Sequence, residues 1–218
     1  MVIAVFGGIG AGKSMVLSIL EEEFSMRVCR TDELAKSLYQ PGTEVYRGLL
    51  ALFGREIMEP ETGALDRRRM AKQMFSDPAL TEQVSRLVHP VVWGAVSERI
   101  ADARESAYDL AVETALPTEE FLRCCDHRIF VSARRDLRLE RLLRDRGYSR
   151  AEAEARLHAE EAERFLSFAD IIIENSRTKE ETINEIYQYF ERLQRERELH
   201  RDGTDTYSGG CRRHDEGD

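Results

Sequence analysis

The sequence VIAVFGGIGAGKS, residues 2–14, decides the fold of this chain. Its first five residues are continuously apolar and mostly β-branched, a pattern typical of a strand buried on both faces of a parallel sheet. Glycines follow at once, and residues 7–14 match the pattern G-x-x-x-x-G-K-[ST]. Apolar residues then recur as far as Phe24, as in a helix. The segment therefore predicts a strand, a phosphate-binding loop and a helix in that order.

The composition of this loop suits the phosphates of a nucleotide. Glycine lets the backbone approach a phosphate closely and point its N–H groups inward, and the following helix adds the positive end of its dipole. We expect Lys13 to contact the β- and γ-phosphates and the Ser14 hydroxyl to bind Mg²⁺. The alternative is a glycine turn that only packs strand against helix, and the full motif between a predicted strand and a predicted helix disfavours it. The predicted ATP-binding residues are Gly8, Ile9, Gly10, Ala11, Gly12, Lys13, Ser14 and Met15.

Short apolar runs alternate with helical stretches along the rest of the chain. Further strands are predicted at residues 26–29, 108–112, 127–131 and 171–174, and a last helix at residues 179–198. This alternation predicts an α/β fold, a three-layer parallel sheet with helices on both faces. We expect residues 1–199 to form one P-loop domain that includes a helical subdomain within residues 31–103. Residues 200–218 are polar and glycine-rich, so we predict a disordered tail there.

The overall composition argues against several other classes of protein. A net charge of -9 over 218 residues disfavours a general nucleic-acid binder. No apolar run reaches the roughly 20 residues of a membrane span, and the apolar N-terminal run is too short for a signal peptide. The four cysteines lack metal-binding spacing, which indicates reduced thiols. We therefore expect a cytoplasmic protein without nucleic-acid or membrane partners, and favour a monomer.

Two observations favour a small-molecule kinase over a GTPase. The sequence has no N-K-x-D motif for guanine, and residues 134–164 are densely basic. Arginines at positions 138, 141 and 144 are spaced to lie near one face of a helix. Such a face can close over nucleotide phosphates, although a solvated helix striped with Glu–Arg pairs is the alternative. The candidate phosphate-binding arginines are Arg138, Arg141 and Arg144.

Two carboxylates follow predicted strands, where ligands of open α/β sheets collect. Asp32 comes after the second strand and Glu113 after the third. Asp32 is a candidate for the base that orients an acceptor hydroxyl, and the alternative is an N-cap formed by Thr31 or Asp32. Glu113 is a candidate contact for Mg²⁺, directly or through water, or simply a charge at a strand end.

The order of short motifs resembles the dephospho-coenzyme A kinase family. FGGIGAGKS resembles the family's TGGIGSGKS, and VCRTDELAK before QPG resembles V-I-D-A-D-x-I-A-R before E-P-G. LVHP at residues 87–90, RDRGYS at 144–149 and ADIIIENS at 169–176 resemble L-x-H-P, R-x-G-x-S and A-D-x-V-I-x-N-S. The resemblance covers approximately residues 1–190.

This resemblance implies transfer of the ATP γ-phosphate to the ribose 3′-hydroxyl of dephospho-CoA, the last step of coenzyme A biosynthesis. It implies Mg²⁺, a coenzyme A subdomain within residues 31–103 and a lid at residues 134–168. Asp32 would be the catalytic base, acting with Lys13. Further roles implied for single residues are an acceptor-side position for His89 and Glu113 and an adenine-side position for Asn175. For His89-Pro90, a helix start or a packing turn is the alternative.

Several positions depart from the family pattern. Arg30 stands where the family has its first aspartate, and ETALPTE at residues 113–119 replaces D-x-P-L-L-F-E. In the predicted lid, Glu160 replaces a glutamine and Leu166 lies where a basic residue is common. Two alternatives therefore stay open: a P-loop kinase for another nucleoside or nucleotide, and a nucleotide-binding homologue with weakened catalysis.

Overall fold

The computed structural model describes residues 1–159 and 162–203. It contains a five-stranded sheet with the order β2-β3-β1-β4-β5, and every neighbouring pair of strands is parallel. The strands are β1 (Val2–Gly7), β2 (Arg27–Arg30), β3 (Leu110–Thr114), β4 (His127–Ser132) and β5 (Ile171–Glu174). The predicted α/β fold with a parallel sheet is confirmed.

Helices connect the strands, and one further helix follows the last strand. They are α1 (Lys13–Phe24), α2 (Thr31–Ser37), α3 (Glu44–Phe53), α4 (Arg67–Ser76), α5 (Pro78–Glu105), α6 (Glu119–Cys124), α7 (Arg135–Arg146), α8 (Arg150–His158) and α9 (Lys179–Gly203). Short 3-10 helices lie at Arg55–Ile57 and Ala162–Phe168. In the described part of the chain, no helix is long and apolar enough to cross a membrane.

The chain divides into two compact units, the first of which is Met1–Ser176 and contains the sheet and helices α1 to α8. The second unit begins at Arg177 and contains α9. This helix continues to Gly203, beyond the end predicted at residue 198. The predicted tail is thus helical over residues 200–203, and residues 204–218 lie outside the described residues.

Strand β1 runs through the core of the first unit, and all six of its residues are buried. Val2, Ala4 and Phe6 face a large apolar cluster, in which the Phe6 ring meets the Phe130 ring edge-on at 5.4 Å. Because side chains alternate along a strand, Ile3 and Val5 point to the opposite face, where α1 packs. A strand buried on both faces explains the unbroken apolar run in the sequence.

Helix α5 organises the helical subdomain. Its buried residues recur every four positions from Val84 to Ile100, and this stripe meets α2, α3 and α4. The helix starts at Pro78, where the Asp77 side chain accepts a hydrogen bond from Leu80 N at 3.0 Å. His89 and Pro90 lie in its interior, so the alternative of a helix start or turn at these residues is wrong. Burial of the valine stripe on both sides of Pro90 maintains the helix despite the proline.

Candidate active site

The P-loop joins β1 to α1 and surrounds the side chain of Lys13. Lys13 Nζ donates hydrogen bonds to the carbonyl oxygens of Gly7 at 2.9 Å and Gly8 at 3.0 Å. The lysine is 8% exposed and lines a cavity of about 150 Å³ together with the exposed Ser14. An ammonium and a hydroxyl therefore meet at the start of α1, where the helix dipole also attracts an anion.

Three side chains brace the P-loop from outside through its carbonyl oxygens. Arg138 Nε donates to Ile9 O at 2.8 Å, and Arg141 Nη1 donates to the carbonyl oxygens of Gly10 and Ala11 at 3.1 and 3.2 Å. The Asn175 amide, 2% exposed, donates to Ala11 O at 2.8 Å. Arg141 Nη2 also donates to Asn175 O at 2.9 Å. Because these bonds use only carbonyl oxygens, they fix the loop without consuming its N–H groups.

The predicted arginine face divides into two environments. Arg141 lines the cavity beside Lys13, whereas Arg144 is exposed and donates to Asp145 at 2.7 Å and to Glu140 at 3.4 Å. For Arg144 the structure thus shows the Glu–Arg pairing that was the alternative. Arg146, which sequence reasoning missed, lines the cavity instead. It is the last residue of α7, five positions after Arg141 and therefore off the three-and-four spacing used to find the face.

Asp32 lies in the first turn of α2, just beyond the end of β2. The N-cap of this helix is Arg30, and among the described residues no side chain makes the cap hydrogen bond, so the N-cap alternative for Thr31 or Asp32 is wrong. Asp32 is exposed and lines a second cavity, of about 220 Å³. The other lining residues are Thr31, Ala35, Tyr39, Val88, His89, Val92, Trp93, Thr114, Ala115 and Leu116. The structure therefore brings Asp32 and His89 together in one cavity, which we call the acceptor cavity after the role predicted for these residues.

Two aromatic residues of the acceptor cavity were missed in the sequence. Tyr39 lies just beyond the end of α2, whereas Trp93 follows His89 on α5 at a spacing of four. Burial raises the pKa of the Tyr39 hydroxyl, and the negative charge of Asp32 raises it further. Helical spacing from His89 was the available signal for Trp93, but it could not point to Tyr39.

Glu113 lies between the two cavities near the end of β3. Its Oε1 is 3.8 Å from Lys13 Nζ, with the two side chains 13% and 9% exposed. Burial raises the pKa of the Glu113 carboxyl; the Lys13 cation opposes this shift and the Asp32 charge adds to it. Glu113 lines the P-loop cavity, whereas the next residue, Thr114, lines the acceptor cavity. The carboxylate predicted for the acceptor side is thus placed beside the P-loop lysine.

The residues that depart from the family pattern lie in different parts of the structure. Arg30 is paired in register with Glu113 across β2 and β3, and its guanidinium approaches Glu21 at 3.7 Å and Glu33 at 4.0 Å. Leu166 is 39% exposed in the 3-10 helix Ala162–Phe168. Glu160 lies outside the described residues.

Comparisons with known proteins agree with this geometry. The dephospho-CoA kinase family model matches residues 1–181. The dephospho-CoA kinase of Thermobifida fusca (strain YX) is 33% identical over 199 residues, which cover 88% of this chain and 96% of that protein. That of Anaeromyxobacter dehalogenans (strain 2CP-C) is 34% identical over 178 residues, covering 80% and 83%.

Solved structures share the fold. The TT1252 structure from Thermus thermophilus is 28% identical with a TM-score of 0.71, over 88% of this chain and 97% of that chain. The dephospho-CoA kinase structure from Campylobacter jejuni has a TM-score of 0.65 at 19% identity, over 88% and 96% of the two chains. With a family model spanning residues 1–181 and relatives above 30% identity, the chain belongs to the dephospho-CoA kinase family.

Proposed function

We propose that this chain transfers the γ-phosphate of ATP to the ribose 3′-hydroxyl of dephospho-CoA. The observation that carries the proposal is the pair of cavities on either side of the end of β3, one containing Lys13 and the other Asp32. A donor phosphate and an acceptor hydroxyl held in these cavities would approach each other at the carboxyl edge of the sheet, where ligands of such folds bind.

Lys13 acts on the donor side. Its ammonium is held by two loop carbonyls and lies near the Glu113 carboxylate, so its position is fixed before ATP binds. A fixed cation stabilises the negative charge on the oxygens of the transferring phosphoryl group without reorganisation during the reaction. The braced P-loop adds backbone N–H groups to the same phosphates.

Asp32 acts on the acceptor side. Its carboxylate does not cap α2 and lines the acceptor cavity, where it can accept the proton of the 3′-hydroxyl. A bond forms between the 3′-oxygen and the γ-phosphorus, and the bond between that phosphorus and the β–γ bridging oxygen breaks. ADP leaves with the bonding electron pair, and the hydroxyl proton passes to Asp32.

The donor atoms in the P-loop cavity fit Mg²⁺. Ser14 offers a hydroxyl and Glu113 a carboxylate, the oxygen ligands this ion prefers. Within residues 1–159 and 162–203, no group of three or more His, Cys, Asp or Glu side chains forms a complete metal cage, which suits an ion shared with nucleotide phosphates. When bound, Mg²⁺ supplies positive charge that offsets the charge of the β- and γ-phosphates.

The proposed lid lies at residues 134–168, the segment that contains Arg138 and Arg141. Residues 134–168 would move over bound ATP and exclude water, and Asn175 would lie on the adenine side. Arg138 and Arg141 already donate hydrogen bonds to the P-loop, so binding of ATP to the loop would change their surroundings. We expect a cytoplasmic monomer with ATP and dephospho-CoA as its partners, and the net charge of -9 argues against nucleic acid.

The test is ADP release with mass detection of the product, using purified protein, Mg-ATP and dephospho-CoA. We expect a product one phosphoryl group heavier than dephospho-CoA, formed only when both substrates are present. Asp32→Asn should lower turnover by about 10²–10⁴-fold, the contribution typical of a general base. Glu33→Gln, one residue away and exposed, is the matched control and should match wild type. Wild-type turnover in Asp32→Asn would contradict the assignment of the base.

A further inference from the structure

One wall of the acceptor cavity is aromatic, although the phosphoryl transfer itself requires no aromatic group. Tyr39, His89 and Trp93 line the cavity that contains Asp32. We propose that this wall is a subsite for the adenine base of the acceptor, with Trp93 as the residue that selects a purine there. The inference rests on the proposed function, because it uses Asp32 to fix the 3′-hydroxyl.

The position of Trp93 suits a stacking platform. It follows His89 by four residues on α5, so the two side chains are neighbours on one face of the helix. The indole is half-buried and packs against the Phe121 ring, with centroids 4.9 Å apart and ring planes 37° apart. Contact with Phe121 limits the movement of the indole, while part of its surface remains open to the cavity. A preorganised aromatic surface loses little entropy when a base stacks on it.

The covalent structure of the acceptor places its base in the same cavity. The 3′-hydroxyl and the base are attached to one ribose, so a hydroxyl held at Asp32 keeps the base within a few bonds of that carboxylate. The cavity that contains Asp32 has a volume of about 220 Å³ and is lined by Trp93 as well. A flat purine next to an indole gains stacking energy that a sugar or an aliphatic chain does not.

The aromatic wall belongs to the acceptor side and not to the donor side. The described residues that line the P-loop cavity are charged, polar or aliphatic, and none of them is aromatic. The two cavities therefore differ in chemistry as well as in place. An adenine subsite beside Asp32 gives the enzyme a contact that recognises the acceptor nucleoside independently of ATP.

Trp93 is the only tryptophan of the chain, so its fluorescence reports on this cavity directly. Wild-type protein is titrated with dephospho-CoA, adenosine and 4′-phosphopantetheine. We expect dephospho-CoA and adenosine to quench the emission and 4′-phosphopantetheine to leave it unchanged. Quenching by 4′-phosphopantetheine but not by adenosine would overturn the proposal, since the cavity would then hold the acceptor's other arm.

Kinetics of Trp93 variants give a second, independent readout. Loss of one base stack in Trp93→Ala should raise KM for dephospho-CoA by roughly tenfold or more, with KM for ATP unchanged. Trp93→Phe keeps a ring and should recover part of that loss. Val91→Ala, an exposed position two residues away on α5, is the matched control and should match wild type. A Trp93→Ala variant with unchanged KM for dephospho-CoA would overturn the proposal.

These measurements separate the subsite from the proposed function. Fluorescence quenching requires no turnover, so quenching by adenosine without any phosphorylated product would support the subsite and refute the kinase reaction. Product formation with no quenching by dephospho-CoA or adenosine would support the kinase and refute the subsite.

Discussion

Replacing Gly12 by alanine tests how tightly the P-loop is braced. Gly12 has φ +94°, and an added Cβ would lie 1.9 Å from Asn175 Nδ2 and 3.2 Å from its Cγ. Asn175 is buried and its amide donates to Ala11 O, so it cannot withdraw without losing that bond. We expect a cost of about 1–2 kcal/mol for the left-handed backbone and about 1–3 kcal/mol for the displaced buried amide.

Gly42 is a matched control for the backbone part of this cost. Its φ is +93°, but an added Cβ would have no heavy atom within 4 Å. Gly42→Ala should therefore cost only the backbone part, about 1–2 kcal/mol. In a chain of this size each kcal/mol lowers Tm by about 2–4 °C, so Gly12→Ala should melt several degrees below Gly42→Ala. It should also bind ATP more weakly in calorimetry, because the displaced amide no longer holds the loop.

A double variant isolates the collision itself. Asn175→Ala removes the amide that the new Cβ would strike, so adding Gly12→Ala to that background should cost about as much as Gly42→Ala in wild type. Such non-additivity is the sign of a direct contact between the two residues. Equal Tm values and wild-type ATP affinity for Gly12→Ala and Gly42→Ala would refute the reasoning.

Two further predictions concern the charged residues around the loop. Lys13→Ala should lower kcat by about 10²–10³-fold, because one preorganised charge contact to the transferring phosphoryl group is lost; near-normal ADP release by this variant would exclude the mechanism. Arg141→Ala should weaken ATP binding, since its bonds to Gly10 O and Ala11 O are lost, whereas Arg144→Ala should change affinity by less than about twofold because exposed ion pairs contribute little. Calorimetry on both variants checks the contrast, and equal losses would contradict the brace.

Local rules were sufficient to find the P-loop segment, with its strand and helix, in the sequence. A phosphate loop needs glycine backbone, one lysine and one hydroxyl within eight residues, and it sits between a buried strand and a helix whose patterns are both short-range. The fifth strand was likewise predicted at the observed residues, 171–174. A short apolar, β-branched run between polar segments strongly favours a strand over other secondary structure.

Long-range packing decided what the sequence did not show. Spacing placed Arg138, Arg141 and Arg144 near one face. Hydrogen bonds from Arg138 and Arg141 to carbonyl oxygens of the distant P-loop decide that these two face the loop, whereas Arg144 pairs within its own helix. Pro90 has a local preference for a helix start, yet burial of the flanking valines keeps it inside α5. In both cases tertiary contacts outweigh a preference of at most a few kcal/mol.

The order of the strands is another long-range property, and it gives Glu113 its position. Strand β3 lies between β1, which leads into the P-loop, and β2, which leads to Asp32. Neighbouring strands are about 4.8 Å apart, so β1 and β2 are separated by about 10 Å. The Glu113 carboxylate of β3 lies between them. Burial raises the pKa of this carboxyl, the Lys13 cation opposes the rise, and the Asp32 charge reinforces it.

This raised pKa predicts how stability depends on pH. The folded protein holds the Glu113 proton more tightly than the unfolded chain does, so folding loses stability as pH rises from the ordinary value of 4.5 through the raised folded value. Glu113→Gln lacks this titration. Its Tm relative to wild type should therefore increase across that interval and become constant above it. Thermal unfolding from about pH 4 to about pH 8, without nucleotide and with a chelator, measures the difference.

Glu33→Gln provides the control for this experiment, because it removes one carboxylate at an exposed position. A Tm difference between Glu113→Gln and wild type that is independent of pH would mean that the carboxylate is as well solvated as Glu33. Glu113 would then have no buried position between the donor and acceptor cavities, and its 3.8 Å approach to Lys13 would be a surface contact of little energy.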